Sequence, residues 1–317
     1  MSVVIPSNVI TIDCHYMAPK FACAYLLIED GKAVFIENNT QFALPWLIAA
    51  LEDHGLTVQD VEYIIITHLH LDHAGGTAAL AERCPNATVL VHQRAARHII
   101  DPTRLIEGVT AIYGKEKFKK MYGAIKALPE SRVRIVEDGE RIKFGNRVFY
   151  FFYTLGHAKH HMCIYDSGSK GVFTGDAFGL CFLPVPSGTS PFIIPSTPPS
   201  DFDPIESIKS LEKIIEIEPG IVYLTHFGPF TQVKEGARSL AASLRKIDGI
   251  IQQALDTGLE GTELDQFCLK ATIDFFDNEM KTKQVALTPE MKTILKGEIL
   301  LNAQGVALAA QKRRSED

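Results

Sequence analysis

The segment 67–76 limits most strongly what this chain can form. Its sequence, THLHLDHAGG, contains His68, His70, Asp72 and His73. Neutral imidazoles and an ionised carboxylate are the usual ligands of zinc, and they also suit iron and manganese. A single histidine would be interpreted as an ordinary core or surface residue, but four ligand-type side chains in this order predict a metal site.

The residues before this segment predict how the ligands are held. Residues 61–66 (VEYIII) are a short apolar run rich in isoleucine, which predicts a buried strand that ends where the ligands begin. Side chains two positions apart in an extended segment point to the same side, so His68 and His70 can face one ion. Asp72 and His73 follow as the chain turns, and one loop can therefore serve two metal ions.

Three further motifs have the same form, each with a ligand-type residue after an apolar, strand-like run. They are His157 in TLGHAKHH, Asp176 in FTGDAF and His226 in YLTHFGP. Together with HxHxDH in the first segment, these motifs resemble the signature of the metallo-β-lactamase-fold superfamily. They occur in the order typical of that superfamily and span residues 67–226.

The resemblance implies that all of these ligand-type residues bind metal. They divide into a first site of His68, His70 and His157, a second site of Asp72, His73 and His226, and Asp176 as the bridge. The expected cofactors are two divalent metal ions per chain, with zinc favoured over iron or manganese. In other two-metal sites the ions are roughly 3.5–4 Å apart.

The resemblance also implies the fold. The chain is expected to be of the α/β (α+β) class, as a four-layer αβ/βα metallo-β-lactamase sandwich with a C-terminal helical extension. We expect the catalytic domain over 1–230 and a helical region over 231–317. A helical insertion at 101–130 would form a wall or lid of the pocket; the alternative is a surface helix pair that buries its aromatic side chains in the core.

The activity implied by the resemblance is hydrolysis by a dinuclear metal centre. A metal-bridging hydroxide would attack an ester or thioester carbonyl, while a cation stabilises the developing oxyanion. Asp72 and Asp176 are the candidate catalytic residues, because they hold the metals and can orient the nucleophile or pass a proton. The motifs are closer to those of glyoxalase II, lactonases and thioesterases than to those of β-lactam-destroying enzymes. Lactones and phosphodiesters remain alternative substrates.

Other residues near the ligands have weaker assignments. His161 is expected to support the ligands without binding metal, and His160 has no assigned role. The segment 178–200 is rich in proline, which excludes a regular helix or a central strand and predicts a stiff apolar loop. Within this loop, the candidate residues of a substrate pocket for an apolar acyl group are Phe178, Phe182 and Phe192. The alternative is a loop that only packs on the sheet edge.

A different class of function remains open. The same ligands filled with iron would give a diiron protein that binds or senses oxygen, as some members of the superfamily do. The flavin-linked oxygen reductases of this fold typically have a glutamate at the position of His70 and carry a flavin domain, and the sequence has neither feature. The complete set of ligands argues against a protein whose hydrolytic site has lost its function.

Composition limits the partners and the location. A net charge of −6 argues against nucleic acid, since phosphate backbones require clustered lysine and arginine. Residues 1–11 lack a basic segment followed by a long apolar one, and no run approaches the roughly 18 apolar residues of a membrane span. The six cysteines form no CxxC pair, so neither a disulfide framework nor a thiolate zinc site is expected. We therefore expect a cytoplasmic protein with a small-molecule substrate, no membrane contact and a possible homodimer through the C-terminal helices.

Overall fold

A computed structural model describes residues 8–183, 185–186 and 190–316. The described residues group into two compact units. The first unit takes the residues up to Tyr153 together with His160–Gly175 and Pro219–Thr231, and the second takes Thr154–Lys159, Asp176–Glu218 and the residues from Gln232 onward. Each unit is a group of residues that pack together and combines several separate segments of the chain. The expected domain boundary at residue 230 stays a prediction.

The first unit contains two six-stranded sheets. The first sheet consists, in spatial order, of β1 (Val9–Asp13), β2 (Cys23–Glu29), β3 (Lys32–Ile36), β4 (Val61–Ile65), β5 (Thr88–His92) and β6 (Val133–Val136). The pairs from β1 to β3 are antiparallel, whereas those from β3 to β6 are parallel. Parallel neighbours need long crossover connections, which here are helical. The carboxyl ends of β3, β4 and β5 therefore lie at the same edge of the sheet.

The second sheet is mainly antiparallel. It consists, in spatial order, of β7 (Arg141–Phe144), β8 (Arg147–Tyr153), β9 (Met162–Asp166), β10 (Gly171–Gly175), β11 (Ile221–Leu224) and β12 (Gly228–Phe230). Only the pairing of β10 with β11 is parallel among these described strands. Two hairpins belong to this sheet, one formed by β7 and β8 around residues 145–146 and one formed by β9 and β10. The strands β1 and β12 were not anticipated from the sequence.

The first sheet is buried on both faces, which explains its nearly continuous apolar strands. Alternate side chains of β2 separate into two cores: Ala24 and Leu26 pack with the helices, and Tyr25 and Leu27 pack toward the second sheet. Between the sheets, the ring of Tyr25 lies 5.1 Å from that of Phe173. The apolar run before the ligands is thus a buried strand, as predicted.

Helices of the first unit connect the strands of the first sheet. They are α1 (Leu44–Asp53), α2 (Leu71–Ala74), α3 (Thr77–Arg83), α4 (Gln93–Ile100), α5 (Thr103–Tyr113) and α6 (Lys115–Tyr122). The segment 101–130, which we expected to be a helical insertion, contains α5 and α6. Its Phe118 and Tyr122 are buried, and its role as a lid stays a prediction.

The second unit contains four long helices: α7 (Pro204–Glu216), α8 (Val233–Asp256), α9 (Gly261–Lys283) and α10 (Pro289–Glu316). The helix α7 begins at Asp203, whose carboxylate accepts hydrogen bonds from the amides of Ile205 and Glu206. One apolar face of α8 is buried. The α/β fold class with a C-terminal helical extension is confirmed.

The described part of the chain contains no helix that is both long and apolar enough to cross a membrane. All six cysteines are free thiols, and Cys181 is the one that is partly exposed. The thiols of Cys23 and Cys84 have pKa values raised to about 12 and about 11, because burial disfavours the thiolate. These two cysteines are therefore ordinary apolar core residues.

His92 is a buried histidine outside the predicted metal motifs. Its Nδ1 accepts a hydrogen bond of 2.9 Å from the amide of Arg94 and so caps α4. The ring centroid of His92 lies 3.9 Å from that of Tyr153. Burial, assisted by the charge of Arg94, lowers the pKa of His92 from 6.5 to about 4. The imidazole is therefore neutral at pH 7.

We predict that His92 makes the fold sensitive to mild acid. Because its pKa is lower in the folded chain than in the unfolded chain, stability is lost as the pH falls from about 6.5 towards 4. The loss at pH 5 should be about 2 kcal/mol. The variant His92→Asn keeps an acceptor for the Arg94 amide but does not titrate. Urea unfolding at pH 7, 6 and 5 should show a flatter pH dependence for the variant, and equal slopes for both proteins would contradict this role.

Candidate metal centre

The ligand segment begins directly after β4 and enters a short helix. His70 is the residue before α2, and Asp72 and His73 lie within α2. The two glycines that follow are required by close packing: a Cβ atom at Gly75 would lie 2.4 Å from the carbonyl oxygen of Leu71, and one at Gly76 would lie 2.9 Å from that of Thr40. The glycines therefore allow the segment to turn tightly against the loop after β3.

Asp72, His73 and His226 form a cluster within the first unit. One potential ligand atom of each residue lies within 4.8 Å of those of the other two. The Nε2 atoms of His73 and His226 lie 3.9 Å and 3.4 Å from Oδ2 of Asp72. Two imidazole nitrogens and a carboxylate oxygen that converge in this way fit a divalent metal ion. The structure thus brings together the three residues predicted for the second metal.

Both imidazoles of this cluster have an oxygen atom close to their other nitrogen. Nδ1 of His73 lies 3.3 Å from Oε2 of Glu37, and Nδ1 of His226 is hydrogen-bonded to the carbonyl oxygen of Phe21 at 2.9 Å. An oxygen acceptor at Nδ1 places the ring proton there and leaves Nε2 with its lone pair directed at a metal. The rings are therefore oriented by the protein as metal ligands usually are.

His68 and His70 form a second pair in the first unit. Nε2 of His68 lies 2.9 Å from Nδ1 of His70, and Nδ1 of His68 is hydrogen-bonded to the hydroxyl oxygen of Thr67 at 3.0 Å. Their rings are nearly perpendicular, with centroids 4.5 Å apart. His68 therefore presents Nε2, and His70 presents Nδ1, on the same side of the loop. This arrangement agrees with the prediction that residues two apart serve one ion.

The two remaining predicted ligands belong to the second unit. Nε2 of His157 lies 3.5 Å from Oδ2 of Asp176, and both side chains are buried. Nδ1 of His157 is hydrogen-bonded to the carbonyl oxygen of Ser196 at 3.4 Å, and the hydroxyl group of Ser196 donates to Oδ2 of Asp176 at 3.2 Å. One serine therefore contacts both ligands.

The two other histidines of the TLGHAKHH motif, His160 and His161, lie beside the segment that carries His68 and His70. The ring of His161 is buried, and its centroid lies 4.9 Å from that of His68. Nδ1 of His160 accepts a hydrogen bond of 3.3 Å from the amide of Leu69, inside the ligand segment. Both residues are therefore placed to support the ligands, and the supporting role expected for His161 stays a prediction.

Glu37 contacts the ligand segment and was not among the residues predicted from the sequence. It is buried, and its Oε1 accepts a hydrogen bond of 3.0 Å from the amide of Thr67 while its Oε2 faces His73. A signal was present, because Glu37 follows the apolar strand β3 just as the ligands follow their own strands. A lone glutamate after a strand is too common a pattern to be assigned without the fold.

The aromatic residues predicted for a substrate pocket are mostly in the core. Phe178 and Phe192 are 0% and 1% exposed, and Phe182 is partly buried. The ring of Phe192 lies 6.3 Å from that of Phe276 on α9. The loop 178–200 is irregular apart from one bridge between Leu180 and Ile194, although residues 184 and 187–189 lie outside the described part. The pocket assignment of the three phenylalanines stays a prediction.

The insertion contributes a tyrosine next to the metal cluster. Burial raises the pKa of Tyr122 far above its usual value, and the carboxylate of Asp72 raises it further. The same two causes raise the pKa of Tyr16, whose ring stacks on that of Tyr122 with centroids 6.4 Å apart. Both phenols therefore stay protonated beside Asp72 and can act only as neutral hydrogen-bonding groups.

Comparison with known proteins identifies the family. The model of the metallo-beta-lactamase superfamily matches residues 31–226, which include every predicted ligand. The chain therefore belongs to the metallo-β-lactamase superfamily.

Individual relatives agree with this assignment. ST1585 of Sulfurisphaera tokodaii, a metallo-beta-lactamase fold-containing protein, is 32% identical over 214 residues, which are 66% of this chain and 74% of ST1585. The crystal structure of ST1585, an archaeal metallo-beta-lactamase superfamily protein, covers 94% of this chain and 98% of its own with a TM-score of 0.68 and 23% identity, and so supports the fold alone.

Two more distant relatives have names that state an activity. Thioesterase pkgB of Emericella nidulans is 26% identical over 47% of this chain and 34% of its own length. An N-acyl homoserine lactonase of Bacillus cereus is 27% identical over 57% of this chain and 61% of its own. The superfamily and the cluster of histidines and aspartates together indicate a metal-binding hydrolase, while the bond that it cleaves is not fixed by these similarities.

We predict that Glu37→Gln weakens metal binding without unfolding the chain. Glutamine can still accept from the Thr67 amide through its side-chain oxygen, but it places an amide group opposite Nδ1 of His73. Loss of such a supporting carboxylate typically reduces metal affinity about 10- to 100-fold. Zinc affinity, measured by competition with a chromogenic chelator, should fall by that factor for one of the bound ions.

Glu29→Gln is a matched control for this variant. It also removes a carboxylate from the hairpin of β2 and β3, but Glu29 pairs with Arg147 at 3.1 Å and not with a predicted ligand. Its zinc affinity should equal that of the wild type. Unchanged zinc affinity in Glu37→Gln would show that Glu37 does not orient His73.

Proposed function

We propose that the protein is a hydrolase that uses two divalent metal ions to cleave a carboxylic ester or thioester. The observation that carries the proposal is the convergence of Asp72, His73 and His226, with an oxygen atom beside Nδ1 of each imidazole. The order of the superfamily motifs assigns His68, His70 and His157 to a first ion, with Asp176 shared. The favoured metal is zinc, since neutral imidazoles and carboxylates are its ordinary ligands.

The chain's own residues have distinct tasks in such a reaction. When bound, two divalent ions lower the pKa of water towards neutrality and polarise a carbonyl group. Asp72 is about one quarter exposed, so one side of its carboxylate can reach a substrate or accept a proton. His73 and His226 would each bind an ion through Nε2, with an oxygen atom beside Nδ1 that orients the ring. Asp72 and Asp176 are the residues that we assign to orienting the nucleophile.

We propose that the acyl group binds at a small cleft of the second unit that has both polar and apolar walls. It lies beside the predicted ligands His157 and Asp176, and its apolar part is lined by Leu155, Ala177, Pro195, Leu240 and Leu244. Apolar side chains around a few polar groups are typical of small-molecule sites. The names of the thioesterase and lactonase relatives agree with an acyl substrate, and the net charge of −6 favours it over a polyphosphate.

The first experiment is the metal content of protein purified without added metal, followed by a substrate panel. We expect about two zinc ions per chain by elemental analysis and hydrolysis of at least one class among acyl esters, thioesters and lactones, with a phosphodiester as a negative control. A chelator should abolish the activity, and zinc should restore it. Two irons per chain, a spectrum that changes with oxygen and no turnover of the panel would favour the oxygen-binding alternative instead.

We predict that Asp176→Ala lowers the metal content. A carboxylate shared by two ions contributes to both, so the variant should retain at most about one ion per chain, and that one weakly. Elemental analysis after gel filtration measures this directly. The variant Asp201→Ala is a control, because Asp201 pairs with Lys159 at the surface of the same unit. A metal content of Asp176→Ala equal to that of the control would contradict the shared ligand.

The pocket gives a prediction about acyl chain length. Leu244→Phe should fill the pocket and reduce kcat/KM for long acyl chains about tenfold or more relative to short ones, since each methylene in an apolar pocket contributes about 1–3 kcal/mol. Phe182→Ala tests the alternative assignment to the proline-rich loop. A changed chain-length preference in Phe182→Ala alone would place the acyl group along that loop.

Three further expectations remain proposals. We propose a small-molecule substrate, a homodimer formed through the C-terminal helices and a cytoplasmic location. Analytical ultracentrifugation tests the dimer, and cell fractionation tests the location. A protein that stays monomeric at about 10 μM, roughly ten times a micromolar Kd, would contradict the homodimer.

A further inference from the structure

The last helix, α10, contacts the proline-rich loop 178–200. Ser196 of this loop is hydrogen-bonded to the predicted ligands His157 and Asp176. Within the second unit, the amide of Thr197 donates a hydrogen bond of 3.1 Å to Oδ1 of Asn302 on α10. The hydroxyl of Thr197 lies 2.7 Å from the same Oδ1 and 2.9 Å from the carbonyl oxygen of Asn302. Thr197 and Asn302 are 1% and 2% exposed. The contact is therefore a buried polar connection, and such connections are costly to break.

Asn302 is itself fixed on the helix. Its amide nitrogen donates to the carbonyl oxygen of Glu298, one turn earlier, at 2.8 Å. This bond orients the side chain so that its oxygen, and not its nitrogen, faces Thr197. The asparagine thus satisfies both of its polar groups, one within α10 and one on the loop.

Gly305 lets α10 approach the same loop closely. A Cβ atom at Gly305 would lie 1.9 Å from the carbonyl oxygen of Thr197 and 3.0 Å from the carbonyl carbon of Pro198. Backbone atoms cannot give way as the end of a flexible side chain can. Gly297, on the same helix, would meet nothing within 4 Å. The glycine at 305 is therefore required by packing, while the one at 297 is not.

The residue before Thr197 contacts the metal ligands. Ser196 accepts the hydrogen bond from Nδ1 of His157 through its carbonyl oxygen and donates its hydroxyl to Oδ2 of Asp176. Pro195 and Pro198 flank the pair and restrict the backbone on both sides. Because the prolines limit the backbone rotations on both sides, a displacement of Thr197 is expected to shift Ser196 as well.

We propose that α10 positions the metal ligands, with Asn302 and Gly305 fixing Thr197 so that Ser196 holds His157 and Asp176. The inference rests on the proposed function, because it assigns these two ligands to a metal site. Ser196, Thr197, Asn302 and Gly305 are positioning residues and do not touch the substrate. According to this proposal, α10 supports the metal centre in addition to any role in dimer formation.

Three variants of the full chain test the proposal. Ser196→Ala removes the hydrogen bond to Asp176, Thr197→Val removes the hydroxyl contacts to Asn302 at nearly constant volume, and Gly305→Ala pushes α10 away from the loop. We expect each to lower the affinity for one zinc ion about tenfold or more, as loss of supporting contacts does. The d–d absorption of the cobalt-substituted protein should also change, because the ligand geometry changes.

Two variants of the same unit serve as controls. Gly297→Ala adds a methyl group to α10 without a contact, and Ser239→Ala removes a hydrogen bond of 3.0 Å from α8 to the carbonyl oxygen of Pro191 in the same loop. Both should keep the zinc affinity and the cobalt spectrum of the wild type. A merely structural role for Thr197 would lower the melting temperature and leave the affinity and the spectrum of the folded protein unchanged.

The outcomes separate this proposal from the proposed function. Wild-type protein that binds no zinc or cobalt would overturn the metal site itself and with it this inference. Wild-type protein that binds two ions, together with unchanged affinity and spectra in Ser196→Ala and Thr197→Val, would overturn the positioning role alone. If Gly305→Ala does not fold, the other two variants decide.

Discussion

An imidazole can offer a metal only one lone pair, and the predicted centre depends on an oxygen atom that engages the other ring nitrogen. Glu37 faces Nδ1 of His73, the carbonyl oxygen of Phe21 accepts from His226, and that of Ser196 accepts from His157. These acceptors come from three different segments. Each fixes both the ring orientation and the position of the proton, so the histidines are prepared for a cation before one binds.

The fold supplies these acceptors because of where its strands end. The carboxyl ends of β3 and β4 lie at one edge of a parallel sheet, so Glu37 and the ligand segment are neighbours although about 30 residues separate them. Such edges are where α/β proteins generally bind ligands. The glycines at 75 and 76 then let the segment turn against the loop after β3. Buried strands on both sides of this edge keep the position of the backbone fixed.

The sequence predicted the parts of the site that depend on local patterns. The ligand types follow from HxHxDH and the three later motifs, and the strands that carry them follow from short apolar runs such as residues 61–66. The family assignment and the fold class were confirmed. Glu37 was missed, because a glutamate acquires a role only when β3 and β4 are known to be adjacent. The connection of Thr197 with Asn302 was out of reach for the same reason, since more than 100 residues separate the two.

The residues proposed to contact the substrate illustrate a second limit of sequence patterns. Phe178 and Phe192 were assigned to a pocket because they lie in a proline-rich loop after a ligand; both side chains are buried, and the assignment stays a prediction. The apolar residues beside His157 and Asp176 include Leu240 and Leu244, which belong to the buried apolar face of α8. A helical stripe records only that one face is apolar. The stripe alone does not show whether that face packs entirely against protein or also borders a ligand site. The positions of the neighbouring segments are needed to tell the two apart.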